Sequence, residues 1–474
     1  MVILHLLYSV FFAWSLSTVA QSFFVSPALS LVGEGRLPLT QKATTPTRQA
    51  GFVMVSSSKP FDVVVLGATG FTGCLVAKYI LTTYGASPPG FKWAVVGRSE
   101  EKLKALKDRL AAEVDEAATS IPSITADTND ETSLKDLVAK TKVVMTTVGP
   151  YRTYGNKVVA ACAGAGVHCV DLTGESLWVR DVIEKHHAEA ERTGAKIVPS
   201  CGFDSVPADL GAFMMVEHMK KIHARSPDIV KYMCDDAKGG FSGGTMATVL
   251  DVMDLAWKGG GAIRKQMNDP LLLIPKDKAL STAEVPPVSP FGYDSDIPGW
   301  TAPFPAASHD SKLVYRSASL LNYGSSFKYT EVMAYKGRVK ALLTSLLVTT
   351  ALTLGGIFLF FPPTRFLLKR FVIPAPGQGP SKKARDEGYF WNNWVAKAGS
   401  GADEVVIRGV VGSDKGDPGY KETAKMLAES GLCLALDSDK IVWKSGGVLT
   451  TASAMGHPLL ERLRKAGMTW TVEG

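Results

Sequence analysis

From Lys59 onward the apolar positions alternate between short near-continuous runs and helical spacing. Runs at 61–66, 93–96, 121–125, 142–148, 167–171 and 195–199 predict six strands, and near-continuous apolar strands are what a sheet covered on both faces requires. Between them, Leu75, Val76, Tyr79 and Ile80 share one helical face, and so do Leu103, Leu106 and Leu110 of a helix over 100–111. A further helix begins near Glu131, where Thr128 gives the Thr-x-x-Glu spacing of a capping box. Strand alternating with helix predicts an α/β fold, a Rossmann-type doubly wound parallel sheet over 59–204.

Past residue 205 the alternation fades and Gly and Pro increase, including Gly239-Gly-Phe-Ser-Gly-Gly244 and a proline-rich stretch over 286–305. This pattern predicts a second α/β domain that covers substrate, with 205–335 as its first part. No suitable strand precedes the glycine loop, so it reads as a flexible lid or tight turn, with a phosphate site as the alternative. A strand at 404–411, a helix at 420–433 and the segment Gly446-Gly-Val-Leu-Thr450 predict that 374–474 completes that second domain.

Two hydrophobic stretches break the globular pattern. Ala341 to Phe361 carries no charge over 21 residues, with Lys336, Arg338 and Lys340 before it and Pro362-Pro363, Arg365, Lys369 and Arg370 after it. Its length suits a bilayer core, while the prolines and the following Phe366-Leu-Leu-Lys-Arg-Phe-Val segment also suit a helix lying in the surface. The expectation is a hydrophobic, membrane-associated segment over 336–373, with a buried core helix as the alternative. The second stretch is Val2 to Ala20, whose only titratable side chain is His5 and which ends in small residues near Val19-Ala-Gln-Ser22, so 1–22 reads as a signal peptide. Residues 23–58 are rich in Ser, Thr and Pro, with three basic residues against Glu34, as in a transit-like disordered tract. Such a bipartite leader predicts a plastid destination; secretion, the endoplasmic reticulum or a lipid droplet are the alternatives.

The chemistry concentrates where the first strand meets the first helix. Gly67, Gly70 and Gly73 are spaced three apart between them, flanked by Ala68, Thr69, Phe71 and Thr72. In a dinucleotide turn the first glycine allows the sharp bend, the second lets backbone approach a pyrophosphate and the third lets helix pack on strand, with the anion at the helix N-terminus. After the second strand an NAD site would place an acidic residue for the ribose hydroxyls. Here Gly97 is followed by Arg98 and Ser99, with Lys102 one turn on, which suits a 2′-phosphate. The cofactor expected is NADP(H) rather than NAD(H). Ligands in such sheets lie beyond the carboxyl ends of the strands, which nominates Asp127 for the adenine side and Gly149 and Pro150 for the nicotinamide side.

A net charge of +7 spread over 474 residues, without a basic stripe interleaved with aromatics, argues against a nucleic-acid partner. Six scattered cysteines with no Cys-x-x-Cys pair indicate neither zinc site nor disulfide scaffold, and no metal is expected. His186-His187 reads as solvated surface.

Six motifs in order carry a family resemblance: Val65-Leu-Gly-Ala-Thr-Gly-Phe-Thr-Gly73, Val96-Gly-Arg-Ser-Glu-Glu-Lys-Leu103, Val148-Gly-Pro-Tyr151, Val170-Asp-Leu-Thr-Gly-Glu175, Cys201-Gly-Phe-Asp-Ser-Val-Pro-Ala-Asp-Leu-Gly211 and Gly416-Asp-Pro-Gly-Tyr420. From Lys59 to its end the chain resembles the saccharopine dehydrogenase-like oxidoreductases, including the trans-acting enoyl reductases. The resemblance implies an N-terminal nucleotide domain, a substrate and dimerisation domain with a possible homodimer, and an acyl or enoyl lipid-type substrate at a membrane or lipid surface. The hydrophobic segment departs from soluble saccharopine reductases and argues against an amino-acid substrate. Tyr151 and Tyr154 lie nearest the expected nicotinamide, and Asp204 follows the sixth strand; these are the catalytic candidates, each with a structural alternative in stacking or capping. Asp171 and Glu175 are placed to hold ribose or close the domain interface. The rival expectation is a non-catalytic lipid-surface protein that keeps a nucleotide-binding fold.

Overall fold

The computed structural model describes residues 59–240, 242–275, 291–373 and 377–474. The leader segments 1–22 and 23–58 and the start of the proline-rich stretch lie outside the described residues. Strands β1 (Phe61–Leu66), β2 (Trp93–Gly97), β3 (Ser123–Thr125), β4 (Thr141–Thr146), β5 (His168–Val170) and β6 (Lys196–Val198) alternate with helices α1 (Phe71–Tyr84), α2 (Glu100–Glu113), α3 (Glu131–Lys140), α4 (Asn156–Ala165) and α5 (Ser176–Thr193). All the strand pairings are parallel. Val63 to Leu66 are buried on both faces, which is why the run is apolar without alternation. The capping box at Thr128 does not form. Asp130 caps α3 instead, its carboxylate accepting from Thr132 N at 3.0 Å, while Asp127 turns back to accept from Asn129 N.

Helix α6 (Val206–His223) leads into a second, mixed sheet built from β7 (Ile229–Lys238), β8 (Gly292–Asp294), β9 (Gly299–Pro303), β10 (Lys328–Lys336), β11 (Tyr389–Ala398) and β12 (Val405–Ser413). Its helices are α7 (Gly243–Lys258), α8 (Gly260–Asn268), α9 (Ala307–Leu321), α10 (Val339–Phe360) and α11 (Pro362–Phe371). Then come α12 (Thr423–Leu436), β13 (Gly447–Val448), α13 (His457–Lys465) and β14 (Thr469–Glu473). The sheet orders are β13-β6-β5-β4-β1-β2-β3 and β14-β12-β11-β7-β10-β9-β8.

The chain therefore returns to its first sheet, a correction to the expectation that Gly446 to Thr450 belongs with the second domain. Gly447 and Val448 pair parallel with Lys196 and Ile197 of β6. Helix α12 packs across α1, β1 and β4, and every residue from Thr423 to Leu434 is buried. A two-residue strand carries no periodicity of its own, so its partner sheet is invisible until the chain has folded. His187 is likewise not a solvated group: its Nδ1 accepts from Val448 N at 3.0 Å and holds β13 in register.

One hydrophobic core runs through both sheets, from Val63 and Val65 to Phe390, Trp394 and Ile407. Helix α6 lies between them and is buried along most of its length. Its Asp209 carboxylate accepts from Ser317 Oγ of α9, from Thr451 Oγ1 at 2.7 Å and from Ala452 N at 2.7 Å. Helix α6 passes so close to β11 that a Cβ on Gly211 would stand 2.3 Å from the Trp394 ring. We expect Gly211→Ala to destabilise the protein by about 1–3 kcal/mol, because ring and helix must separate to admit the methyl group. Urea unfolding followed by tryptophan fluorescence checks this, and an unchanged midpoint would place the helix–sheet contact elsewhere.

Candidate functional site

The glycine turn is shaped for a group held by backbone. Gly67 has φ +85°, and a Cβ there would meet Val148 Cγ2 at 2.7 Å and Thr147 Oγ1 at 2.8 Å. At Gly73 a Cβ would stand 2.2 Å from Gly67 O, so α1 can pack this near to β1 only without a side chain. The turn is pinned to β2 by Gly67 N and Ala68 N, both donating to Val96 O. Ala68 is buried beneath it, Thr69 and Gly70 are exposed, and Phe71 and Thr72 are half-buried at the mouth of α1. No side chain caps α1 at Gly70, and no acidic residue lies in its first turn. Open N–H groups at a positive helix end, with space that a side chain would fill, fit a pyrophosphate.

Beside this turn Gly97 approaches Thr69 closely enough that a Cβ on Gly97 would stand 3.4 Å from Thr69 Cγ2. The next residues, Arg98 and Lys102, are exposed and make no ion pair among the described residues. Ser99 caps α2, its Oγ accepting from Lys102 N at 3.3 Å, which leaves its own hydroxyl proton for another acceptor. Glu100 and Glu101 in the same turn offset the cations against the helix dipole. Asp127 lies half-buried beyond β3 with its backbone N–H bonded to Ser133 Oγ.

On the nicotinamide side, Gly149 is exposed and Pro150 half-buried, but Tyr151 turns inward. It is 5% exposed, its hydroxyl donates to Thr146 O at 3.2 Å and accepts from Leu172 N at 3.1 Å, and its ring lies against Trp178. Burial raises its pKa well above the usual value. That is a correction to its candidacy as proton donor: the phenol is spent on two backbone groups. Tyr154, one turn further, is half-buried, and its hydroxyl makes no hydrogen bond among the described residues. Asp171 and Glu175 also serve the backbone. Asp171 accepts from Thr173 N and Ser200 N, and burial raises it to about 7. Glu175 accepts from Tyr151 N at 2.7 Å and Arg152 N at 2.9 Å.

Asp204 stands in the loop between β6 and α6. Its residue surface is exposed to solvent, and desolvation by the protein around the carboxyl raises its pKa to about 6. Tyr420 links it to the glycine turn: the ring meets Phe71 edge-on at 5.2 Å, and burial, with Asp204's charge a lesser cause, raises the phenol to about 12. The Tyr420 hydroxyl bonds Thr245 Oγ1 at 2.8 Å and accepts from Ser242 N, so the glycine loop before α7 closes onto the same wall.

Behind Asp204 lie two carboxyls that sequence reading missed, Asp310 of α9 and Glu331 of β10, both buried. Ser205 Oγ donates to Asp310 Oδ1 at 2.6 Å, and Tyr329 hydroxyl donates to Glu331 Oε2 at 3.1 Å. Asp310 Oδ2 and Glu331 Oε1 are buried without a donor among the described residues, so the pair is satisfied only when it holds a proton between its two members. Desolvation is the first cause of both shifts; Glu331 rises to about 8. The available signal was in α9, where His309, Asp310, Lys312, Arg316 and Ser317 interrupt an apolar helix at core spacing. His309 sits between Ser176 Oγ and Ser200 Oγ at 2.7 and 2.9 Å, and burial lowers it to about 3.

A carboxyl with a raised folded pKa stabilises the protein below its unfolded pKa and loses that contribution as pH rises through the folded value. For Glu331 the loss extends up to about pH 8. Glu331→Gln should therefore flatten the fall in stability between pH 6 and 8 by an amount on the order of 1–2 kcal/mol. Asp204 and Asp171 still titrate in the variant, so some slope remains. Thermal unfolding at a series of pH values checks this; parallel curves for parent and variant would show that Glu331 does not ionise in that window.

Comparison with known proteins follows the same residues. The model of the saccharopine dehydrogenase NADP-binding domain matches residues 63–198. A Mycobacterium tuberculosis protein provisionally named as a trans-acting enoyl reductase is 38% identical over 427 residues, covering 88% of this chain and 98% of that protein. The trans-acting enoyl reductase of Mycobacterium ulcerans is 34% identical over 434 residues, with the same coverage. The solved saccharopine dehydrogenase (L-Glu forming) of Saccharomyces cerevisiae aligns over 87% of this chain and 100% of its own, with TM-score 0.48 and 12% identity. By its identity to full-length relatives and by its NADP-binding domain, the chain belongs to the saccharopine dehydrogenase-like oxidoreductases, alongside the trans-acting enoyl reductases.

Proposed function

We propose that this oxidoreductase uses NADP(H) in preference to NAD(H) to reduce an acyl or enoyl lipid-type substrate at a membrane or lipid surface. The observation that carries the proposal is Asp204, a solvent-reached carboxyl with a burial-raised pKa whose charge acts on Tyr420, the ring that meets Phe71 of the glycine turn. The enoyl class comes from the names of the relatives. Support for a lipid surface comes from the exposed apolar faces of α10 and α11. The composition of residues 1–58 supports delivery through the secretory route to a plastid.

Bound NADPH would supply the hydride. The chain's own residues hold, orient and protonate. The open first turn of α1 receives the pyrophosphate, and Arg98, Lys102 and the Ser99 hydroxyl receive the 2′-phosphate, where a guanidinium offers a fork of donors. Gly149, which is exposed, and Pro150 would flank the nicotinamide. Hydride arriving at the β-carbon of an enoyl group leaves an electron pair on the α-carbon and carbonyl. The α-carbon then takes a proton from Asp204, whose solvent-exposed carboxylate is reprotonated from water. Surrounding protein favours the neutral acid, and substrate that excludes water favours it further. Tyr154, whose half-buried hydroxyl makes no hydrogen bond among the described residues, is the second candidate proton donor.

Arg98→Ala should weaken NADPH binding about ten- to a hundredfold and NADH binding little, because only NADPH presents a phosphate to the guanidinium. Fluorescence titration with both nucleotides reads the ratio, and equal losses would make Arg98 structural. Asp204→Asn should lower NADPH consumption with a long-chain trans-2-enoyl thioester by about 10²- to 10⁴-fold at unchanged NADPH affinity. Full activity in Asp204→Asn, with loss in Tyr154→Phe, would transfer the proton-donor role to the tyrosine.

A further inference from the structure

Helix α10 is divided lengthwise. Ala341, Ser345, Leu352, Gly356 and Leu359 form one stripe that packs on β9, β10 and α7, with Ser345 Oγ donating to Thr301 O. Leu343, Leu347, Leu354 and Phe358 form the opposite stripe and are at least half exposed. At Pro362-Pro363 the chain turns into α11, which stays with the domain: the buried Arg365 pairs with Asp254 of α7 at 3.6 Å, and Trp257 meets Phe360 and Phe361 edge-on. Phe366, Leu367 and Phe371 of α11 are exposed. Of the fifteen most exposed large apolar residues described, ten fall between Val339 and Phe371. Soluble surfaces scatter such residues singly, and a contiguous patch marks a contact.

The charges around the patch have one sign. No Asp or Glu occurs from 332 to 385, a stretch that holds nine Lys and Arg. Arg338 and Lys340 at one end, and Lys369 and Arg370 at the other, are exposed and make no ion pair among the described residues. Four free cations bracketing an apolar face complement an anionic lipid leaflet, where apolar side chains enter the acyl boundary and cations stay among the headgroups. A second copy of the same face would bring eight such cations together.

We propose that α10 and α11 form an in-plane anchor that docks this enzyme on an anionic bilayer leaflet without crossing it. The proposal deepens the lipid-surface part of the function above and rests on it. A crossing helix would have to strip Leu352 and Leu359 from Met246, Val249 and Met253 of α7, whereas docking in the plane leaves that packing intact.

Flotation of the full chain with vesicles of phosphatidylcholine, alone or mixed with phosphatidylglycerol, tests this. We expect binding to the anionic vesicles to exceed binding to the neutral ones by roughly tenfold or more and to weaken with salt. The quadruple variant L343Q/L347Q/L354Q/F358Q should lose binding to both vesicles by roughly tenfold or more. The double variant K369E/R370E should lose only the preference for anionic lipid, and both variants should keep parental NADPH affinity as the check on folding. In the vesicle-bound protein, Lys340→Cys and Lys369→Cys should each react with an impermeant maleimide added outside. Protection of one end would show a spanning helix and overturn the proposal. Undiminished vesicle binding by the quadruple variant would assign attachment to another segment, and if that variant also turned a dimer into a monomer the face would belong to a second copy. The readout is binding, so its failure leaves the reductase assignment untouched, and absence of enoyl reduction would leave the docking intact.

Discussion

A carboxylate removed from water has to be surrounded by donors or held neutral, and at Asp209 this requirement ties together three remote parts of the chain. Ser317 comes from α9, while Thr451 and Ala452 follow β13, and all three donate to one buried carboxyl on α6. Burial raises the Asp209 pKa and its four hydroxyl and amide neighbours lower it again, so the group is stable only with the whole set in place. The segment after β13 is therefore held where β13 can join the first sheet, and α9 is held where Asp310 reaches the end of α6. Two sheets that could have been separate domains share one core.

The same seam separates two electrostatic tasks. At the outer rim, Arg98 and Lys102 are exposed and make no ion pair among the described residues, which suits a site that gains its counterion with the ligand. At the inner end, Asp204, Asp310 and Glu331 meet with no arginine or lysine paired to them among the described residues, and each is pushed toward its neutral form by desolvation first. Lys312 feels the Asp310 charge, but its ammonium is spent on Ser308 O and Oγ, and burial lowers it to about 8. A site that binds phosphate at one end and carries a protonatable carboxyl at the other has the polarity that reduction with proton delivery needs.

The hydrophobic segment shows why amino-acid content leaves a helix's role open. Its composition satisfies both a bilayer and a protein core, since each excludes charge. What separates them is which stripe is covered, and here the second sheet covers one stripe and leaves the other bare. The hydroxyls behave as expected of a helix in an apolar setting: Thr344 and Thr353 bond back to the carbonyls of Lys340 and Thr349.

What the amino-acid order determined by itself is local. The spacing of Gly67, Gly70 and Gly73 between an apolar run and an amphipathic helix specifies a dinucleotide turn, because turn, helix start and close packing are all set within thirteen residues. The six strand runs and the Arg98-Ser99 pair are legible for the same reason. Tertiary structure alone decided whatever depends on a partner far along the chain. Tyr151 reads as a phenol near the nicotinamide until Thr146 and Leu172 take up its hydroxyl. His187 reads as surface until Val448 arrives 261 residues later. Asp310 and Glu331 belong to a helix and a strand with no common motif, and only the packing of α9 against α6 and β10 brings them together with Asp204 as a neighbour. Hydrogen bonds and desolvation act over a few ångströms of space regardless of separation in sequence, so the identity of a group fixes its chemistry in water and the fold decides which of its states survives burial.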